Sequence, residues 1–148
     1  MILAESIAIG LVLGFFFYEF TGLVAGGLVV PGYFALYWRQ PAMMGTSVVV
    51  ALMTWGFMKL IARVTILYGR RRFTLAVLVG FSCQWAMEGL LSGVDIADTR
   101  IDAIGYVIPG LLANEMERQG ISRTILGLVI VSAGVRICLA LLGRLGPW

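Results

Sequence analysis

The apolar residues of this chain come in four near-continuous runs, Ile2 to Phe20, Ala42 to Ile61, Phe73 to Leu91 and Thr124 to Leu142. A helix needs about 20 mostly apolar residues to cross the hydrocarbon core of a bilayer, so each run predicts a transmembrane helix. Two further stretches lie between them: Gly22 to Trp38, and Ile101 to Gln119, which is less apolar and flanked by acids. Each is too interrupted by glycine and proline to read as an ordinary span.

The two interrupted stretches nearly repeat one another. "GLVVPGYFALYWRQP" starts at Gly27 and "GYVIPGLLANEMERQG" at Gly105. Gly27 aligns with Gly105, Val29 with Val107, Val30 with Ile108, Pro31 with Pro109, Gly32 with Gly110 and Ala35 with Ala113. One inserted residue then brings Arg39-Gln40 onto Arg118-Gln119. The chain therefore reads as two copies of one unit: residues 1–68 form helix, broken segment, helix, and residues 69–148 a basic loop followed by the same three parts. The expected fold class is an all-α integral membrane protein with about four transmembrane helices in two repeated halves, each with a Pro-Gly-broken, re-entrant or interfacial segment.

Proline removes a backbone donor and glycine permits φ values other residues avoid, so a Pro-Gly pair in an apolar stretch is expected to unwind the backbone. Unpaired backbone groups are costly in lipid unless they are buried in protein or line a wet cavity, and two such segments in matching halves point to a shared binding or conduction region. A turn at the membrane surface is the alternative. If both segments enter and leave by one face the halves are parallel; if each crosses fully, they are inverted.

Composition agrees with the membrane class: 60% of the 148 residues are hydrophobic and 13% charged. Glu5 stands near the start of the first run where a signal peptide would be basic, and no small-residue cleavage site follows, so the first segment reads as a retained helix rather than a signal peptide. Cys83 and Cys138 fall inside apolar runs without metal or redox spacing and read as packing residues. The chain has no histidine and no G-x-x-x-x-G-K-[ST] loop, so ATP-driven or acyl-transfer chemistry is expected from a partner. Gly10 and Gly14 form a small-xxx-small face on the first helix, a pattern that suits assembly.

Arg70, Arg71 and Arg72, with Lys59 and Arg63 before them, mark the loop between the second and third runs as cytoplasmic. They also suit an anionic leaflet or an acidic partner. Glu19 and Glu88 each end the first helix of their half, and a carboxylate beside hydrocarbon is a functional candidate by default. The plainer reading places them at the interface, solvated or paired with an arginine such as Arg39 or Arg100. Arg136 stands inside the last run and requires a carboxylate, a wet cavity or another subunit, with Glu88 the economical partner and an anionic substrate the alternative. Asn114 follows the second break and Tyr33 the first, placed either to coordinate a peptide-like substrate or to cap the backbone.

Together these pieces resemble the CapC/PgsC family, the small integral-membrane subunit of bacterial poly-γ-glutamate synthesis and capsule systems. The resemblance rests on "TGLVAGGLVVPGY" from Thr21, "RQP" from Arg39, "ILYGRRRF" from Ile66 and "VIPGLLAN" from Val107 followed by "RQG", and covers almost the whole chain. Ala25 stands where the family often has proline, and the approach from Arg100 to Gly105 is about two residues longer than its pattern.

The resemblance implies a multi-pass protein of the bacterial inner membrane that holds no cofactor itself. ATP and a divalent metal belong to a partner CapB/PgsB-type amide ligase, and a CapA/PgsA-type protein acts at or outside the membrane. The chain would support polymerisation and carry poly-γ-glutamate across, as an oligomer in contact with lipid, without nucleic acid. The candidates for polymer path or partner contact are Glu19, Pro31, Gly32, Tyr33, Arg39, Arg70, Arg71, Arg72, Glu88, Arg100, Pro109, Gly110, Asn114 and Arg136. A scaffold that only anchors and activates the ligase is the alternative; an acyl or γ-glutamyl transferase using Glu19 or Glu88 as base fits less well.

Overall fold

A computed structural model of the chain describes residues 2–91 and 105–143. Among these residues there are six α-helices: α1 (Ile2–Thr21), α2 (Val30–Leu36), α3 (Pro41–Ala62), α4 (Arg70–Leu91), α5 (Ile108–Gln119) and α6 (Ile121–Leu141), with one 3-10 turn at Tyr37–Arg39 before α3. α1, α3, α4 and α6 are long and apolar enough to cross a membrane, and they match the four apolar runs to within a helical turn.

Proline starts three of the helices. Pro31, Pro41 and Pro109 lie in the first turns of α2, α3 and α5, where a missing N–H costs nothing and the fixed φ suits the helix. The expectation that the chain unwinds at Pro-Gly is therefore corrected: these pairs begin helices, and the break lies upstream. Gly26 and Gly27 adopt φ of 74° and 117°, and Gly105 a φ of 67°, a region that side chains with a Cβ avoid.

Gly32 and Gly110 serve a different purpose, close approach. A methyl group on Gly32 would stand 2.8 Å from Ile7 Cα, and one on Gly110 would stand 2.7 Å from Val77 Cα. Their partners are bare as well: Gly10 faces Gly32, and Gly80 faces Gly110. Lipid gives helices no hydrophobic reason to associate, so such backbone contacts between small residues hold the short helices in place. Gly10 is thus used inside the chain, whereas a Cβ on Gly14 would meet nothing.

The two short helices are the most enclosed elements. Val30, Pro31, Gly32, Phe34 and Ala35 of α2 are buried, as are eight residues of α5 between Ile108 and Met116. Val30, Phe34, Ile108, Leu112 and Met116 form one core with Ala51 and Leu128, filling the space between α2 and α5. The long helices enclose them and present Phe15, Phe16, Leu78, Trp85, Leu126 and Ile137 outward, as suits lipid. α2 packs on α1 and α6, and α5 packs on α4 and α3.

The direction of the first broken segment follows from its neighbours. α1 and α6 are antiparallel, since Gly127 meets Phe17, Gly134 meets Leu13, and Cys138 and Leu141 lie by Ala8 and Val12. Val24 bonds to Gln119 just before α6, Gly26 lies beside Thr124 and Leu128, and Trp38 reaches Arg136 and Leu141 near the end of α6. The segment thus runs the length of α6, about 30 Å at the rise of an α-helix, and delivers α3 to the end of the bundle where α1 began. It is neither a surface turn nor re-entrant; it is an interrupted span.

Candidate functional site

A non-helical segment inside a membrane protein leaves backbone amides unpaired unless side chains satisfy them. The Gln119 side chain acts as a substitute strand for Val24. Its Oε1 accepts from the Val24 N–H at 2.9 Å, and its Nε2 donates to the Val24 carbonyl and, at 3.1 Å, to Thr124 Oγ1. On the other side of the bundle, Ser6 Oγ donates to the Gly32 carbonyl at 2.7 Å in a buried contact. In sequence Gln119 is only the second member of a repeated Arg-Gln pair, and nothing there marks its bond to Val24.

A polar cluster lies on the second half of α4. Glu88 Oε1 accepts from Gln84 Nε2 at 2.8 Å, and Glu88 Oε2 accepts from the Tyr106 hydroxyl at 2.7 Å. The Tyr106 ring lies against Phe81, with centroids 5.2 Å apart, which fixes its approach. Gln84 is 1% exposed, and its Oε1 is buried without a partner. Gln84 and Tyr106 were not singled out from the sequence, since an uncharged polar residue in an apolar run breaks no pattern.

The expected Glu88–Arg136 pair is not formed. Both oxygens of Glu88 have the partners just named, and Arg136 instead lines an apolar groove of about 450 Å³ on the outside of α6, with Trp38, Ile137 and Leu141. Glu19 and Glu88 each stand near the end of their helix, α1 and α4, in different surroundings. Superposing the Gly10–Gly32 contact on the Gly80–Gly110 contact puts Glu88 in register with Tyr18. Glu19 is exposed at the end of α1, and Arg39 is exposed at the opposite end of the bundle, beyond its reach.

A second cluster occupies α5. Asn114 and Glu115 are each 8% exposed; Glu115 Oε1 lies 3.4 Å from both Asn114 Nδ2 and Arg118. Glu117 Oε2 and Trp55 Nε1 are buried without partners, and Lys59 Nζ stands 4.2 Å over the Trp55 ring. These acids belong to a helix enclosed by protein.

Of the remaining candidates, Pro31, Gly32, Pro109 and Gly110 are buried in helix contacts and present no surface to a ligand, while Tyr33 packs against the central core. Arg70 and Arg71 are exposed and Arg72 half-buried at the start of α4. Arg100 lies outside the described residues. Among the described residues no three His, Cys, Asp or Glu side chains gather to hold a metal.

Charge is distributed unequally along the bundle. At the end where α1 and α5 finish and α4 and α6 begin, Lys59, Arg63, Arg70, Arg71, Arg72, Arg118 and Arg123 outnumber Glu19, Glu115 and Glu117. The described charges toward the other end are Glu5, Arg39, Glu88 and Arg136. One face is therefore strongly basic.

Comparison with known proteins agrees with the resemblance read from the motifs. The family model for "Capsule biosynthesis CapC" matches residues 9–125. The chain is 35% identical over 120 residues to the PGA biosynthesis protein CapC of Bacillus subtilis (strain 168), covering 80% of each chain. It is 33% identical over 130 residues to the capsule biosynthesis protein CapC of Bacillus anthracis, covering 87% of each. No solved structure matches. With its four membrane-length helices and a match that runs through both broken segments, the chain belongs to the capsule biosynthesis CapC family.

Proposed function

We propose that this chain is the membrane subunit of a poly-γ-glutamate or related capsule-polymer synthase in the bacterial inner membrane. A partner ATP-dependent amide ligase of the CapB/PgsB type, with its ATP and metal, makes the polymer. This chain supports polymerisation and the polymer's passage, alongside a CapA/PgsA-type protein. The observation that carries the reading is the basic face built by Arg63, Arg70, Arg71, Arg72, Arg118 and Arg123, which by the positive-inside bias faces the cytoplasm, where a polyanion would arrive. Membership of the CapC family and the names of the two Bacillus relatives supply the pathway.

The two halves are read here as one unit inserted in opposite senses. The pairing of α2 with α1 and α6 corresponds to that of α5 with α4 and α3, and the Gly10–Gly32 contact corresponds to Gly80–Gly110. This favours the inverted form of the repeat over the parallel one.

A second reading, a scaffold that anchors and activates the ligase, draws support from the filled centre, where Val30 and Leu112 are fully buried. A path through the middle of a single chain has no room there. Passage would use the boundary between copies or between this chain and a partner.

The experiment that separates the readings replaces Arg70, Arg71 and Arg72 together by glutamine in cells making the whole complex. Intracellular polymer, exported polymer and the abundance of this chain are then measured. Export falling while synthesis persists supports passage; synthesis and export falling together support the scaffold; both unchanged at normal abundance would overturn the role given to the basic face.

A further inference from the structure

We propose that the outer side of α6 binds one anionic phospholipid of the leaflet opposite the arginine-rich face. Arg136 and Trp38 hold its phosphate, and its two acyl chains lie in the grooves that meet at Leu141. Arg136 stands about 7.5 Å along the helix axis from the last residue of α6, within reach of the headgroup level for a side chain of its length. A guanidinium at that depth requires an anion or water. Among the described residues Arg136 has no ion pair and no hydrogen bond, and Glu88, the acid expected to meet it, is held by Gln84 and Tyr106.

Trp38 lines the same groove from the 3-10 turn before α3, and its indole N–H has no acceptor among the described residues either. Tryptophan gathers at the headgroup level of a bilayer, where its ring is in hydrocarbon and its N–H meets polar groups. Two donors without acceptors, one of them a guanidinium fork, in one groove at that level match the oxygens of a phosphodiester.

The form of the surface selects a lipid among anions. The groove beside Arg136 holds about 450 Å³ and is walled by Ala133, Ile137 and Ala140. A second, of about 510 Å³, lies between α1 and α6 against Leu13 and Cys138. Leu141 lines both and is 83% exposed, so it stands as a ridge between two apolar grooves that open toward hydrocarbon. A diacyl phospholipid has the matching plan, one phosphate above two chains. A glutamate polymer carries carboxylates and no hydrocarbon chain, and would leave both grooves empty. A headgroup bearing its own ammonium would compete with Arg136 for the phosphate, which favours a lipid with net negative charge.

The test reconstitutes the full-length chain in phosphatidylcholine vesicles with a trace of phosphatidylglycerol carrying a photoreactive group in one acyl chain. Peptide mass spectrometry then locates the label. It is expected on α6 from Ala133 to Leu141 and on α1 from Ala8 to Leu13, displaced by unlabelled phosphatidylglycerol and not by phosphatidylcholine. Arg136→Gln should reduce this labelling about tenfold or more and Trp38→Phe about threefold, the difference between a charge-assisted and a neutral hydrogen bond. Arg136→Lys, which keeps the charge, should lose less than Arg136→Gln, and Arg39→Gln, at an exposed arginine of the same end, should leave labelling unchanged. Label spread evenly over the outward faces of the long helices, or unmoved by both Arg136→Gln and Trp38→Phe, would mean bulk lipid and overturn the proposal. Displacement by polyglutamate would give the groove to the polymer, and label that emerges only after removal of residues 144–148 would give it to the chain's own end; either overturns the proposal as well. The readout is bound lipid, so it stands or falls apart from the function proposed above.

Discussion

Gly32 and Gly110 each sit where an ordinary side chain would meet the backbone of a neighbouring helix at under 3 Å. Replacing either by alanine is expected to destabilise the protein by about 1–3 kcal/mol, as overpacking does, while Gly14→Ala should stay within about 0.5 kcal/mol of the native protein. Thermal unfolding in detergent distinguishes the two outcomes. Gln119→Leu should free the Val24 amide at a cost of about 1–3 kcal/mol, since it leaves a part-buried donor and acceptor unmatched. Hydrogen exchange at Val24 measures this directly and should accelerate by about tenfold or more. At this scale the sequence marked the two Pro-Gly pairs as special backbone, but not the helix start and the close helix approach that they serve. It was silent where a neutral side chain such as Gln84 or Gln119 satisfied another group, because hydropathy does not distinguish a polar residue with a partner from one without.

The elements were more legible than their directions. Four apolar runs became four spans because length and composition alone decide whether a helix can cross a bilayer. Proline inside an apolar run reads as a helix breaker, which puts the expected break at Pro-Gly. In the first turn it is a helix starter, and the non-helical stretch falls on Gly26–Gly27 and before Ile108 instead. Direction was hidden because it depends on residues far apart in sequence, chiefly Val24 bonded to Gln119 and Trp38 sharing a groove with Arg136. An interrupted span makes a definite prediction. In a protein lacking Cys83 and Cys138, Phe20→Cys and Gln40→Cys should react with a membrane-impermeant thiol reagent from opposite sides. Both positions are exposed in the structure, and labelling from one side only would restore the re-entrant form.

Among the described residues, most of the basic side chains gather at one end although they come from four stretches of chain, near Lys59, Arg70, Arg118 and Arg123. Only the arginine triplet is visible as a cluster in the sequence; Arg118 and Arg123 join it through folding. Near an anionic surface each such charge contributes about 1 kcal/mol, so losing the triplet should weaken attachment of a polyanionic partner at that face by roughly two orders of magnitude at low salt. The difference between native and triple-glutamine protein should shrink as salt rises, which a binding titration with polyglutamate at two ionic strengths would record.

The bond between Val24 and Gln119 also has a consequence for how the protein is made. The two residues are 95 positions apart, so at ordinary rates of translation about 5–20 seconds pass between their synthesis. During that interval α1 and α3 exist, but α6, against which the first broken segment lies, has not been made. Residues 22–29 have no helical bonds of their own, and backbone left in lipid without partners is costly, so residues 22–40 should wait at the surface or within the insertion machinery and cross only when the second half arrives. A ribosome halted before Gln119 would hold a chain whose first half has fewer passes through the membrane than the finished protein gives it.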